Sequence, residues 1–223
     1  MLKAEHITKY YQGEKIIEDI NIEVKKGELV CLLGQSGVGK TTLFQILSGL
    51  ERPDCGAVFL DGRDITGLPG QMSYMQQKDL LLPFEKIIDN VSIPLVLAGK
   101  PRIKSREEAA AYFAEFGLSG CEYKYPHQLS GGMRQRASFL RAYLFSGELM
   151  LLDEPTSALD SVTKASILQW FRKIISDHKT TALFITHDMN EATLLSDRIY
   201  MMSGVPGRIS AVSPDSIASH ISP

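Results

Sequence analysis

Apolar residues along the chain recur with two periods, and the alternation between them lays out the elements. Short runs over 2–7, 20–24, 57–60, 73–76, 181–187 and 199–202 predict strands. Ile20, Ile22 and Val24 alternate with Asn21 and Glu23, as in a half-covered strand, whereas Leu29-Val30-Cys31-Leu32-Leu33 and Leu149-Met150-Leu151-Leu152 are apolar throughout, as in buried ones. Helical spacing relates Leu43, Phe44, Ile46, Leu47 and Leu50, with Gly49 near the helix end. It returns over Glu85 to Leu97, over Ser105 to Phe116 with Ser105 and Glu108 as a capping pair, and over Ser161 to Ser176 with Ile167, Leu168, Phe171, Ile174 and Ile175 on one face. Asp188 and Glu191 have the spacing of another capping box. Between the strands, Tyr10-Tyr11-Gln12-Gly13 reads as a loop with two aromatics, Asp61-Gly62 as a tight hairpin turn, and Gly207-Arg208-Ile209 as a last strand.

Strands alternating with helices imply an α/β fold, and the helix-only stretch at 79–147 reads as a lobe inserted into a core made of 1–78 and 148–215, with 216–223 as a tail. A chain of 223 residues with 44% hydrophobic content can bury a full core as one domain. A net charge of −2 and the lack of a basic block argue against a nucleic-acid or anionic-lipid partner recruited by bulk charge. Cys31, Cys55 and Cys121 lie far apart with no metal-type spacing, and read as reduced structural thiols. The first residues lack an apolar signal core and no run nears the roughly 18 apolar residues of a span, so a cytoplasmic chain is expected, with any membrane role through a partner.

Chemistry concentrates first at Gly34-Gln35-Ser36-Gly37-Val38-Gly39-Lys40-Thr41-Thr42, which fits G-x-x-x-x-G-K-[ST] and lies between a predicted strand and a predicted helix. Its glycines let backbone N–H groups converge on phosphate oxygens at the positive end of the helix, and a side chain at Gly37 or Gly39 is expected to obstruct that approach. Lys40 supplies a compact positive charge for the β- and γ-phosphates, Thr41 a hard oxygen for Mg²⁺, and Thr42 a further donor. Asp153 and Glu154 end a buried strand, where carboxylates face the ligand crevice of an open parallel sheet. His187 ends another. The turn Ser130-Gly131-Gly132 before a helix reads on its own either as a second anion site or as a capped helix with a flexible entrance.

Taken together, these segments make the chain resemble the nucleotide-binding subunit of an ABC transporter over nearly its whole length. Gly34 to Thr42 stand as Walker A, Gln77 as the Q-loop glutamine, Leu129-Ser130-Gly131-Gly132-Met133 as the signature, Leu149 to Asp153 as Walker B with Glu154 as catalytic base, Ser157-Ala158-Leu159-Asp160 as the D-loop and His187 as the switch histidine. Gln77 is taken over Gln76 because the family usually places a Pro six residues on, as Pro83 does here, and Tyr11 over Tyr10 as the adenine-stacking aromatic from its spacing to Gly34. The resemblance implies a P-loop NTPase core with an antiparallel β subdomain and a helical subdomain, and ATP hydrolysis with Mg²⁺ held by Thr41, Gln77 and Asp153. Two cassettes, identical or paired, would close head to tail so that Ser130 of one meets the phosphates held by Lys40 of the other. Further implied partners are transmembrane permease subunits, which would hold the cassette at the inner face of the plasma membrane, and an extracytoplasmic substrate-binding protein.

The ending Met202-Ser203-Gly204-Val205-Pro206-Gly207-Arg208-Ile209 resembles importers of the nitrate, sulfonate, taurine and pyrimidine-precursor group, although Gly147-Glu148 replaces a more usual Lys-Pro. Leu80-Leu81-Leu82-Pro83-Phe84 fits a permease docking patch and the core of the lobe equally. Rival readings explain less: a soluble ABC ATPase acting on DNA or ribosomes usually carries coiled-coil insertions, and a P-loop kinase leaves Ser130 and Glu154 without a role. A binding module without turnover does not need the full set of catalytic positions. His6, His127, His178 and His220 are read as structural or surface residues.

Overall fold

The computed structural model describes residues 1–145, 148–157 and 159–212. Gly147, the middle of the D-loop at Ala158, His220 and the 216–223 tail lie outside the described residues. Strands β1 (Leu2–Tyr11), β2 (Glu14–Val24), β4 (Cys55–Leu60) and β5 (Arg63–Asp64) form an antiparallel sheet in the order β2-β1-β4-β5. A second sheet runs β10-β9-β3-β8-β7-β6, built from β3 (Leu29–Gly34), β6 (Ser73–Met75), β7 (Leu149–Asp153), β8 (Thr181–Thr186), β9 (Arg198–Ser203) and β10 (Arg208–Val212). It is parallel except for β10, which returns antiparallel on β9. This is the expected α/β architecture with an antiparallel sheet beside the parallel core.

The apolar runs follow from two-sided burial. In β3, Leu29, Cys31 and Leu33 join the core under the helices, while Val30 and Leu32 join the core beneath the small sheet. β7 repeats this with Met150 and Leu152 against Leu149 and Leu151, and β8 with Ala182 and Phe184 against Leu183 and Ile185. Because alternate side chains leave opposite faces, a central strand covered on both sides has no polar face to show. Each fully buried Leu, Ile or Phe here contributes about 1.5–3 kcal/mol, which makes these strands a stiff support for whatever their C-terminal ends carry.

Helix α1 (Lys40–Leu47) fills the core between the sheets with Leu43, Phe44, Ile46 and Leu47. It stops where Gly49 takes a φ of 76°, and a Cβ there would stand 2.4 Å from the Leu68 carbonyl oxygen. Leu50, expected on the helix stripe, therefore lies beyond the helix and is 59% exposed. Between β6 and β7 come α2 (Ile87–Leu97), α3 (Arg102–Ala110) and α4 (Gly131–Phe145); α5 (Ser161–Asp177) and α6 (Met189–Leu195) follow β7 and β8. The segment between β6 and β7 shares its core with the sheet: Val91 of α2, Phe113 and Phe116 after α3, and Phe139 of α4 belong to the same cluster as Leu152 and Phe184, and Phe139 meets Phe171 of α5 with ring centroids 4.6 Å apart. Asp89 is buried in α2 but paired with Arg102 at 3.0 Å and Arg106 at 2.6 Å, as a desolvated carboxylate requires.

Three local expectations are corrected. Tyr10 and Tyr11 are not in a loop: β1 runs through both, and the turn is Gln12-Gly13, with φ of 51° and 86°, the paired left-handed residues of a two-residue hairpin. Asp61-Gly62, with φ of 50° and 79°, is the expected hairpin turn. The third helix starts after Pro101, not at Ser105, and ends at Ala110, well short of Phe116. The Ser105 hydroxyl donates back to the Pro101 carbonyl at 3.1 Å, while Glu108 pairs with Lys100 at 2.7 Å. Finally, Asp188 caps α6 through the Asn190 and Glu191 amides, but the Glu191 side chain does not return to close a capping box and turns into the core. The cysteines form no disulfide, Cys31 and Cys121 being buried and Cys55 exposed.

Candidate functional site

The loop from Gly34 to Gly39 joins the end of β3 to the start of α1, and neighbouring atoms leave no room for a side chain at two of its glycines. A Cβ on Gly34 would lie 2.5 Å from the Met202 carbonyl oxygen of β9. Gly39 has a φ of 103°, and a Cβ there would lie 2.5 Å from Ile17 Cγ2 of β2. Gly37 faces open space, and its φ of 83° is what favours glycine. To the expected obstruction of a ligand by side chains at Gly37 and Gly39 the structure adds backbone conformation at both and a clash with β2 at Gly39. Gly39→Ala is expected to lower the apo melting temperature by at least about 2 °C, from about 1–3 kcal/mol of backbone strain, and to weaken ATP binding by roughly tenfold or more. Thermal melts and ATP titration check both.

Lys40 is only 5% exposed. Its ammonium donates to the carbonyls of Gly34 at 2.8 Å and Gln35 at 2.9 Å and stands 3.8 Å from Glu154 Oε1. Burial holds its pKa below the ordinary lysine value, while Glu154 and Asp153 pull it back up. A buried cation folded against carbonyls at a helix N-terminus is a receptor for an anion.

Asp153, the buried last residue of β7, has its carboxyl pKa raised by burial, against the pull of hydrogen bonds from the Tyr74 and Thr41 hydroxyls. Tyr74 donates to Oδ2 at 3.1 Å, and burial and Asp153 push its own pKa up, so it remains a donor. Glu154 follows with a left-handed φ of 43°, its amide bonded to the Ile185 carbonyl at 3.2 Å. That turn brings its carboxylate among the other expected groups: Gln77 Nε2 donates to Glu154 Oε2 at 3.3 Å and to Ser157 Oγ at 3.3 Å, and His187 Nδ1 stands 3.5 Å from Glu154 Oε1.

These groups border one polar pocket lined by Ile16, Ser36, Gly37, Gly39, Lys40, Thr41, Thr42, Gln77, Asp153 and Glu154. Thr41, Gln77 and Asp153 place three hard oxygen donors in it. Ile16 and Tyr74 are site residues that motif reading passed over. The only sequence signal for Tyr74 was a phenol inside a buried strand, which needs a partner for its hydroxyl; Ile16 carried none, since its position at the pocket comes from pairing of β1 and β2. Of the other expected site residues, Gly34 contributes its carbonyl to Lys40, Val38 is buried in the core beneath the small sheet, and His187 reaches the site through Glu154. Tyr11, at the end of β1, does not line this pocket; it lies near Glu51 and Thr42 with the Lys9 ammonium 5.4 Å from its ring, and burial first, then Glu51, raises its pKa. Tyr10 is directed instead to Lys15, 5.5 Å from its ring.

Ser130, Gly131 and Gly132 do not line this pocket. Ser130 Oγ accepts from the Met133 amide at 3.3 Å at the start of α4. A Cβ on Gly131 would lie 3.1 Å from Leu159 Cδ2, and one on Gly132 3.0 Å from Thr163 Cγ2 of α5, so the turn packs against the segment after Glu154 while its serine stays exposed. The remaining described histidines are satisfied locally: His6 by Asp19, His127 stacked on Tyr125, and His178 between Tyr143 and Glu115.

The family profile described as ABC transporter matches residues 17–157, from the strand beside the loop to the turn after Glu154. The chain belongs to the ABC transporter family. The cassette is 45% identical over 197 residues, covering 88% of it and 77% of the relative, to the formylaminopyrimidine import ATP-binding protein ThiZ of Halalkalibacterium halodurans. It is 37% identical over 209 residues, 94% of it and 82% of the relative, to the taurine import ATP-binding protein TauB of Escherichia coli. Among solved structures, cbiO1 of Clostridium perfringens, part of the ABC transporter complex cbiONQ, superposes with a TM-score of 0.86 at 25% identity, covering 98% of the cassette and 90% of that chain. The MJ0796 cassette, in a dimeric post-hydrolysis state bound to ADP and Pi, gives a TM-score of 0.82 at 28% identity, covering 96% and 99%. The chain is therefore an ATP-hydrolysing cassette, and among the described residues no helix is long and apolar enough to cross a membrane.

Proposed function

We propose that this cassette drives solute import by closing head to tail with a second cassette around two ATP molecules, and that Lys40, Gln77, Glu154 and His187 carry hydrolysis. The observation behind this is the gathering of Lys40, Gln77 and His187 about the Glu154 carboxylate, with Ser130 left exposed on the chain's own surface. A phosphate receptor whose second anion-binding turn faces away is half of a shared site.

In the proposed reaction, water attacks the γ-phosphorus in line, and catalysis is positioning and charge stabilisation. Lys40 exchanges its carbonyl partners for phosphate oxygens. Glu154, fixed by its backbone bond to Ile185, orients or deprotonates the water. His187 contacts the γ-phosphate from beside Glu154, and the partner's Ser130-Gly131-Gly132 turn caps it from across the interface. Tyr11 supports the adenine next to the loop. Thr41, Gln77 and Asp153 would hold Mg²⁺. Three oxygen donors with no cluster of three or more His, Cys, Asp or Glu among the described residues suit a cation that takes its other ligands from phosphate and water. When bound, the ion would supply charge neutralisation at the β- and γ-phosphates.

Likeness to ThiZ and TauB supports an importer of small organic solutes, with permease subunits, an extracytoplasmic binding protein, and attachment at the inner membrane face through the permease. The Leu80–Phe84 run is divided: Leu81 is buried, while Leu80 and Leu82 are about half exposed and Phe84 is 90% exposed, leaving apolar surface beside the Q-loop for a permease. The test is ATPase activity of the purified chain with and without its co-expressed permease in vesicles. The expected result is stimulation that also requires the binding protein; turnover indifferent to any permease encoded beside it would contradict the transporter role.

A further inference from the structure

Glu191 is a buried carboxylate, 5% exposed, that the mechanism above does not use. It accepts from Thr186 Oγ1 at 2.5 Å and from Thr156 Oγ1 at 3.2 Å, and it is ion-paired with Lys164 of α5. Thr186 is the last residue of β8, next to His187. Thr156 lies in the turn two residues after Glu154. We propose that Glu191 is a positioning residue for hydrolysis, one carboxylate that pins the ends of β7 and β8 together and so sets the distance between Glu154 and His187.

Both catalytic residues need such a pin. His187 lies on a short segment held at each side, because Thr186 Oγ1 also accepts from the Asp188 amide at 3.0 Å and Asp188 in turn caps α6. Glu154 has a left-handed φ, a conformation a non-glycine residue keeps only when its surroundings hold it. Its direct link to β8 is the single amide bond to Ile185, and the Thr156–Glu191–Thr186 bridge adds a second tie across the same seam. The carboxylate form is what the arrangement demands: two hydroxyls and an ammonium all donate to two oxygens. An amide offers one oxygen, so its NH₂ must donate to one of the hydroxyls, which then loses its acceptor, and Lys164 loses its counter-charge; Gln therefore weakens the bridge. The purpose of an acid three residues after Asp188 is then to join two strand ends, not to cap its own helix.

This inference rests on Glu154 and His187 being catalytic, and the experiment separates the two ideas. Glu191→Gln, Thr186→Val and Thr186→Ser would be assayed in the cassette–permease assembly beside Glu154→Gln and His187→Ala, with ATP affinity measured for each. Glu191→Gln and Thr186→Val are expected to lower kcat by about tenfold or more, since small misplacement of reacting groups is costly, while KM and Kd for ATP move less than about twofold. Thr186→Ser, which keeps the hydroxyl, is expected to keep wild-type turnover. The double variant Glu191→Gln with Thr186→Val is expected to be no worse than the poorer single variant, because both remove one bridge. Losses that multiply, or a KM that rises with the fall in kcat, would overturn the proposal. So would wild-type kcat in folded Glu191→Gln. Should Glu191→Gln fail to fold, the Val and Ser variants at Thr186 decide, and equal kcat in both refutes it. If Glu154→Gln and His187→Ala themselves turned over normally, the site assignment would fall instead.

Discussion

Glu154→Gln is expected to bind ATP at least as tightly as the wild type and to lose turnover by about 10²-fold or more. The amide has the size of the carboxylate and keeps an oxygen to accept from Gln77 Nε2, so the pocket should hold its shape. What disappears is the base and one negative charge 3.8 Å from Lys40. Losing that charge leaves the ammonium freer for phosphate, which is why affinity should hold or improve while chemistry stops. Phosphate release under saturating ATP, set against equilibrium ATP binding, separates the two effects. Turnover near the wild-type rate would mean that another group handles the water.

Ser130→Arg should be equally severe but should act on the other subunit. In the free chain Ser130 is exposed and, among the described residues, its side chain makes only the local bond to the Met133 amide, so an arginine there leaves the pocket at Lys40 untouched and ATP binding to single chains intact. In a closed pair the long cationic side chain would fill the space required for the partner's γ-phosphate. Homogeneous Ser130→Arg is expected to lose turnover by about 10²-fold, consistent with removal of a stabilising contact at the transferring phosphoryl group. Mixed dimers carrying one altered turn should lose the site opposite it. Two fully active sites in such a dimer would refute shared catalysis.

How much of this was legible in the sequence depends on how local the cause is. The loop from Gly34 to Thr42 could be read directly, because its glycines, lysine and hydroxyls are contiguous and flanked by a strand and a helix. Asp153, Glu154 and His187 could be placed at strand ends because the apolar runs before them are buried on both faces. Non-local causes stayed hidden. Gly39 is constrained by Ile17 across a sheet edge, Tyr74 by a carboxylate from another strand, and Glu191 by threonines at two strand ends. The spacing of Glu191 to Asp188 pointed to a capping box, but the buried donors outcompeted the helix terminus. At the first hairpin, Gln12 adopts a positive φ usually left to Asn, Asp or Gly, so the turn begins two residues later than the tyrosines suggested. Pro101 likewise started α3 ahead of the serine that looked like its cap.

Solution scattering of the Glu154→Gln chain, with and without saturating Mg·ATP, probes the shared-site account at its root. The account predicts single protomers without nucleotide and a compact two-chain particle with it, abolished when Ser130→Arg is added. Protomers that stay single at saturating Mg·ATP, even alongside the permease, would contradict it.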